Sequence, residues 1–256
     1  MRIPSAGKMS WLGAVLLLVG VGGCFGPGEP DTVAPVDVLY VAFGNSTTAG
    51  PSERDYPDIL REKLGEPQGT FANEGHGGET STEGLERLQE LIDQETYPEA
   101  HTLLYWEGGN NITDFIEENE PLLLMSPADE DYSLTDELTS ELDGIQEDVE
   151  AAIEAGQGAG MTVYVATYYL IREDLAECDA LPLDIIYPDQ ARNANDYVVL
   201  LNERIRLAVD NTGATLVDVE AEDESLRSDP DNYYNCNHLS AQGNEIVADL
   251  FAEQMQ

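Results

Sequence analysis

Short apolar runs alternate with amphipathic segments from residue 38 to the carboxyl terminus, and this alternation constrains the fold of the 256-residue chain more than any other feature. Val38 to Phe43, Leu103 to Trp106 and Met161 to Thr167 are nearly unbroken apolar stretches, too short for helices, and read as buried strands. Thr70 to Asn73 and Thr215 to Val219 are weaker candidates of the same kind. Between them, Tyr56, Ile59, Leu60 and Leu64 recur at helical spacing. So do Leu85, Leu88, Leu91 and Ile92 after Thr82, and Leu138, Leu142, Ile145, Val149 and Ile153 within Thr135 to Ala155. Further helices are expected over Tyr197 to Val209 and Ser240 to Met255, the last capped by Ser240. A short helix could open at Ile112 to Phe115, Pro121 to Asp131 reads as an acidic insertion, and Leu170 to Ala194 as a long loop. Strands that alternate with helices predict an α/β fold: a parallel sheet covered by helices on both faces. Ligands of such sheets bind where the strands end at their carboxyl sides.

Four of the turns at those ends carry polar residues of complementary chemistry. Gly44-Asn45-Ser46-Thr47 follows the first strand and places the Ser46 hydroxyl at a strand-to-helix turn, where it could equally serve as a helix cap. Asn73-Glu74-Gly75-His76-Gly77-Gly78 follows the second, and a glycine-rich turn can expose a backbone N–H to an oxyanion. Gly108-Gly109-Asn110-Asn111 follows the third and supplies a side-chain amide donor. Asn235-Cys236-Asn237-His238 precedes the last helix and brings an imidazole that can act as general base. The first turn lacks the G-x-G-x-x-G spacing of a dinucleotide-binding loop. His76, His101 and His238 show no metal-ligand spacing, so neither metal nor cofactor is expected, and Asp129-Glu130-Asp131 reads as a solvated loop.

In order and spacing these four turns resemble the blocks of the SGNH/GDSL hydrolase superfamily. The resemblance implies a flavodoxin-like three-layer αβα sandwich. It also implies a serine ester hydrolase with Ser46 as nucleophile, Gly78 and Asn110 joining the Ser46 N–H in the oxyanion hole, and His238 as base. The substrate would be a small-molecule ester: a short acyl ester, an acetylated carbohydrate or a lysophospholipid. Two positions depart from the family pattern. Asn45 stands where the first block usually has Asp, and Asn235 where the last block has the Asp that orients the histidine. An amide keeps an acceptor oxygen but lacks the charge that stabilises imidazolium. A Ser–His dyad, recruitment of Asp229 or Asp231, and a weak enzyme are all compatible with this. The alternative is a binding lipoprotein that kept the fold without the chemistry.

The amino terminus reads as an export signal. Arg2 and Lys8 precede a short apolar stretch from Trp11 to Val21, below the roughly 20 residues of a membrane span. Val21-Gly22-Gly23-Cys24 resembles the bacterial lipobox, which implies lipid on Cys24 and anchorage to the cell envelope. The expected organisation is therefore a signal peptide over 1–23, a Gly/Pro-rich linker over 24–36 and a hydrolase domain over 37–256. Export to an oxidising compartment predicts a disulfide between the remaining cysteines, Cys178 and Cys236. Eleven Lys and Arg against 51 Asp and Glu give a formal charge of −40, which excludes nucleic acid as a partner. The same excess suits either a saline medium, where ions screen the repulsion, or solubility alone.

Overall fold

The computed structural model describes residues 37–50, 52–119, 125–129, 135–173 and 188–256, all within one unit, Val36–Gln256. Five parallel strands form one sheet: β1 (Tyr40–Gly44), β2 (Phe71–Gly75), β3 (Thr102–Trp106), β4 (Thr162–Ala166) and β5 (Thr215–Val217). Their order is β2-β1-β3-β4-β5. The chain thus leaves β1 toward one edge of the sheet and returns to its other side with β3. Central strands of such a sheet are covered on both faces, and β3 is buried at every residue.

Helices α2 (Tyr56–Leu64) and α8 (Ala241–Gln254) pack against each other, with the rings of Tyr56 and Phe251 stacked at 5.0 Å. Helices α3 (Ser81–Asp93), α5 (Thr135–Gly158) and α6 (Pro188–Thr212) pack in a row, α5 in the middle. Two short helices, α1 (Ser46–Ala49) and α4 (Gly109–Glu118), follow β1 and β3 directly. A further short helix, α7 (Asp223–Ser228), lies between two 3₁₀ turns after β5. This is the three-layer parallel α/β arrangement that the alternation predicts.

Some boundaries differ from the periodicity, each for a local reason. Helix α3 begins at Ser81 because Thr80 and Glu83 form a capping box, a motif of about 1 kcal/mol that apolar spacing alone does not reveal. Helix α6 begins at Pro188, nine residues before the expected Tyr197, so the end of the expected loop is helical. Proline suits the first helical position, Asp189 complements the first-turn dipole, and Ala191 and Ala194 continue the buried face. Helix α4 extends well past Phe115 on the buried residues Ile112 and Ile116. No described helix is long and apolar enough to cross a membrane. Cys24, Cys178, the linker and the signal segment lie outside the described residues; Cys236 is disulfide-bonded.

Candidate active site

Strand register brings three turns level. Gly44 pairs with Gly75 on one side and with Trp106 on the other, so β1, β2 and β3 end together where the strand order reverses. Ser46 sits there as the first residue of α1. The buried Asn45 caps that helix: its Oδ1 accepts from the Thr47 N–H (3.0 Å) and from the Thr47 hydroxyl, while Nδ2 donates to the Tyr168 hydroxyl (2.8 Å). One side chain accepts and donates at once, which an ionised Asp cannot do. Asn73 on β2 ties the turn down by donating to the Thr48 carbonyl (2.9 Å) and to Asp55 Oδ2 (2.8 Å). Gly75 has to be glycine, since a Cβ there would lie 2.0 Å from the Ala49 nitrogen.

His238 reaches this turn from the far end of the chain, and its Nε2 lies 2.9 Å from Ser46 Oγ. The loop that carries it is closed by the Tyr234 N–H to His238 carbonyl bond (2.9 Å) and a bridge between Tyr233 and Leu239. It is moored to the segment after β4 by the Tyr169 hydroxyl, which donates to the Asn237 carbonyl (2.8 Å). Asn235 stands behind the imidazole, its Oδ1 3.1 Å from His238 Nδ1. That same oxygen accepts the backbone N–H groups of His238 (2.8 Å) and Asn237 (3.1 Å). Two fixed donors hold the amide with its oxygen, not its nitrogen, toward the ring. The favoured tautomer therefore carries its proton on Nδ1 and leaves Nε2 as acceptor toward Ser46. Burial lowers the imidazole pKa below its ordinary value, which keeps the ring neutral and its Nε2 free to accept a proton. Asp229 is occupied by Asp231 N–H and Gln242, and among the described residues no carboxylate bonds to His238.

Two donors, the Ser46 N–H and the Asn110 amide, line the cavity at Ser46, and Gly78 lies in a groove beside it. The Ser46 N–H meets no acceptor among the described residues. Asn110, in the first turn of α4, lines the same cavity as Ser46 and His238 and donates one amide hydrogen to the Glu79 carbonyl (2.7 Å), which leaves the second available. Helix α4 has no side-chain cap, and its first two residues, Gly109 and Asn110, line the cavity, so its amino-terminal dipole lies at the cavity. Gly78, at φ 84°, sits in an adjoining groove with His76, Glu79 and Glu83, and its N–H likewise has no acceptor among the described residues. Gly77 also borders Ser46: a Cβ added there would lie 3.9 Å from the Ser46 Cβ.

The cavity has a volume of about 100 Å³, and its inner wall is apolar: Ile112 and Ile116 from α4, Ile171, and Val198 and Leu201 from α6. Tyr168 and Tyr169 form its side toward β4. Tyr168, Asn73 and Tyr169 are not marked as site residues by the sequence: they lie 18 to 123 positions from their bonding partners, and only Asn73 falls in one of the four polar turns. Among the described residues no three His, Cys, Asp or Glu side chains cluster as a metal site requires.

The sequence matches the GDSL-like Lipase/Acylhydrolase family over residues 42–246. Solved structures with the same architecture include the acetyl xylan esterase AlAXEase (18% identity, 84% of this chain and 98% of that one, TM-score 0.57). The psychrotrophic esterase EstA from Pseudoalteromonas sp. has 15% identity over 86% of this chain and 97% of that one, with a TM-score of 0.55. The lipase Lip_vut3 from a goat rumen metagenome has 15% identity over 85% of this chain and 97% of that one, with a TM-score of 0.60. At these identities the likeness is one of fold. No curated protein matches the sequence.

Proposed function

The chain belongs to the GDSL-like lipase/acylhydrolase family, and on that premise we propose that it hydrolyses short acyl esters through a Ser46–His238 pair. The observation that carries this reading is the 2.9 Å approach of His238 Nε2 to Ser46 Oγ, with the imidazole tautomer set by Asn235. In the mechanism, His238 takes the Ser46 proton as Oγ attacks the ester carbonyl. The oxyanion is stabilised by the Ser46 N–H, the Gly78 N–H and the second amide hydrogen of Asn110. His238 then protonates the departing alcohol, and water attacks the acyl-enzyme by the same route in reverse.

The narrow apolar wall behind Ser46 supports a short acyl chain as the part of the substrate that enters the cavity. The alcohol portion is left toward solvent, where an acetylated carbohydrate fits as well as a simple ester. The Val21-Gly22-Gly23-Cys24 sequence supports export and lipid anchorage at Cys24. The disulfide of Cys236 is consistent with an oxidising compartment, Cys178 being its proposed partner. The test is hydrolysis of p-nitrophenyl acetate and butyrate. Ser46→Ala should abolish it, and His238→Ala should lower turnover by about 10²- to 10⁴-fold. Equal activity in wild type and Ser46→Ala would rule the reading out.

A further inference from the structure

Beneath the oxyanion turns lies a buried carboxyl that the mechanism does not use. Glu107, directly after β3, is 1% exposed, and neither of its oxygens meets a donor with hydrogen-bond geometry among the described residues. It is wedged against α3 at Gly84, where an added Cβ would lie 3.1–3.3 Å from its Cγ, Cδ and Oε1. Its acidic neighbour is Glu79, also buried, and Arg87 from α3 is the cation between them. Arg87 is already committed. It forks onto the Glu79 carboxylate through Nε (2.7 Å) and Nη2 (2.5 Å) and reaches Glu74 at Oε2 (3.4 Å) and at the carbonyl (2.9 Å). Glu74 and Glu79 thus share one guanidinium that makes no hydrogen bond to Glu107, and His76 Nδ1 lies 3.8 Å from Glu79 Oε1.

We propose that Glu107 carries a proton, donates it in a hydrogen bond to Glu79, and through Glu79 positions the oxyanion donors. Glu79 is the hub of those donors. Its backbone carbonyl holds the Asn110 amide at 2.7 Å, and its N–H bonds the His76 carbonyl (3.4 Å) across the Gly77–Gly78 turn. The other groups facing Glu107 are the hydroxyls of Tyr105 on β3 and Tyr168 after β4, both held neutral by burial. Asp148 of α5 faces the same region and is satisfied by Ser81 and Thr82. Burial and Glu79 raise the Glu107 pKa well above the usual carboxylate range; Arg87 and the Gly108 N–H oppose this and are outweighed. Ionisation would set two carboxylates side by side and push Glu79, and with it Asn110, out of place.

Glu107 is in this account a positioning residue, and its catalytic consequence rests on the Ser46–His238 reading. The protonation does not. Wild type, Glu107→Gln and Glu107→Ala are compared in two ways. The first is melting temperature against pH. A carboxyl protonated in the native state and ionised in the unfolded state binds more protons when folded, so wild-type stability falls as pH rises above about 4.5. The isosteric amide has no such dependence, so the advantage of Glu107→Gln over wild type should grow as pH rises above about 5 and level off only where Glu107 ionises in the folded protein. A difference that is flat with pH would overturn the protonation. The second is turnover of p-nitrophenyl butyrate. Glu107→Gln, whose amide can donate to Glu79, should stay within about threefold of wild type at neutral pH. Glu107→Ala should lose roughly tenfold to a hundredfold in kcat with little change in KM, a fraction of the cost of deleting an oxyanion donor. Equal losses in both variants, or none in Glu107→Ala, would overturn the positioning role. Glu107→Gln keeps the test open if Glu107→Ala fails to fold. A wild type inactive on every ester counts against the Ser46–His238 reading, while the melting comparison still decides the protonation.

Discussion

Asn235 places an amide oxygen 3.1 Å from His238 Nδ1, where the last block of the family usually has a carboxylate. In serine proteases the same exchange is costly because the amide can present its NH₂ to the imidazole and stabilise the wrong tautomer. Here the backbone N–H groups of Asn237 and His238 both point at Oδ1, which fixes the amide the right way round. What is missing is the negative charge behind the ring. On the proposed Ser46–His238 mechanism activity requires neutral His238, so it should fall as pH drops through the lowered imidazole pKa, placing the acid limb of kcat/KM below 6.5. Asn235→Asp adds an anion at 3.1 Å, which should raise the His238 pKa by about one to three units, move the acid limb upward with it, and raise kcat. A pH–rate profile of the variant checks this; an unmoved limb would mean that residue 235 does not govern the base. Ser46, Asn110 and His238 were legible as residues because each stands in a turn at a strand end or before a helix. Tyr168 and Glu107 were not. Tyr168 bonds Asn45 from 123 positions away, and a glutamate beside two glycines gives no sign in sequence that it will be buried.

At the scale of elements, the apolar runs over β1, β3 and β4 are legible because these central strands are buried from both faces. The edge strands are less so: β2 is only partly buried along its length, and β5 is three residues long. Helix ends are the least legible in the sequence, because they depend on caps and first-turn chemistry and not on periodicity. The Thr80–Glu83 capping box and the Pro188 start of α6 both carry recognisable signals at the ends of apolar patterns. The tight contacts between elements have no periodic signature at all. Gly75 looks like any turn glycine, yet it lets α1 sit directly on the end of β2 and so fixes the height of Ser46 above the sheet. The His238 loop is similar: two tyrosine hydroxyls, Tyr169 to the Asn237 carbonyl and Tyr233 to the Leu170 carbonyl, tie it to the chain after β4.

The whole molecule carries 51 acidic residues against 11 basic ones, and only Arg2 and Lys8 of the latter precede residue 37. The cations of the domain are taken up in ion pairs such as Arg54–Glu62, Lys63–Asp249, Arg204–Asp143 and Arg206–Asp218. Most of these are partly exposed, and each contributes about 1 kcal/mol or less. They leave a large uncompensated negative charge whose self-repulsion opposes the compact state. Salt should therefore stabilise this protein: the melting temperature should rise by several degrees between about 0.1 M and about 1 M KCl, beyond the rise of a near-neutral control, as screening shortens from about 10 Å to about 3 Å. A rise no greater than that of the control would show that the acidic surface serves solubility alone. Against that background the site is compact and local, built where the strand order reverses and dependent on one contact between residues 192 positions apart. The most direct test of that contact is covalent labelling with a fluorophosphonate, followed by peptide mass analysis of wild type and His238→Ala. The account predicts one adduct, on Ser46, formed at least a hundredfold more slowly without the imidazole (the scale of general-base catalysis, about 10²-fold or more). An adduct on another residue, or equal labelling of Ser46 in both proteins, would contradict it.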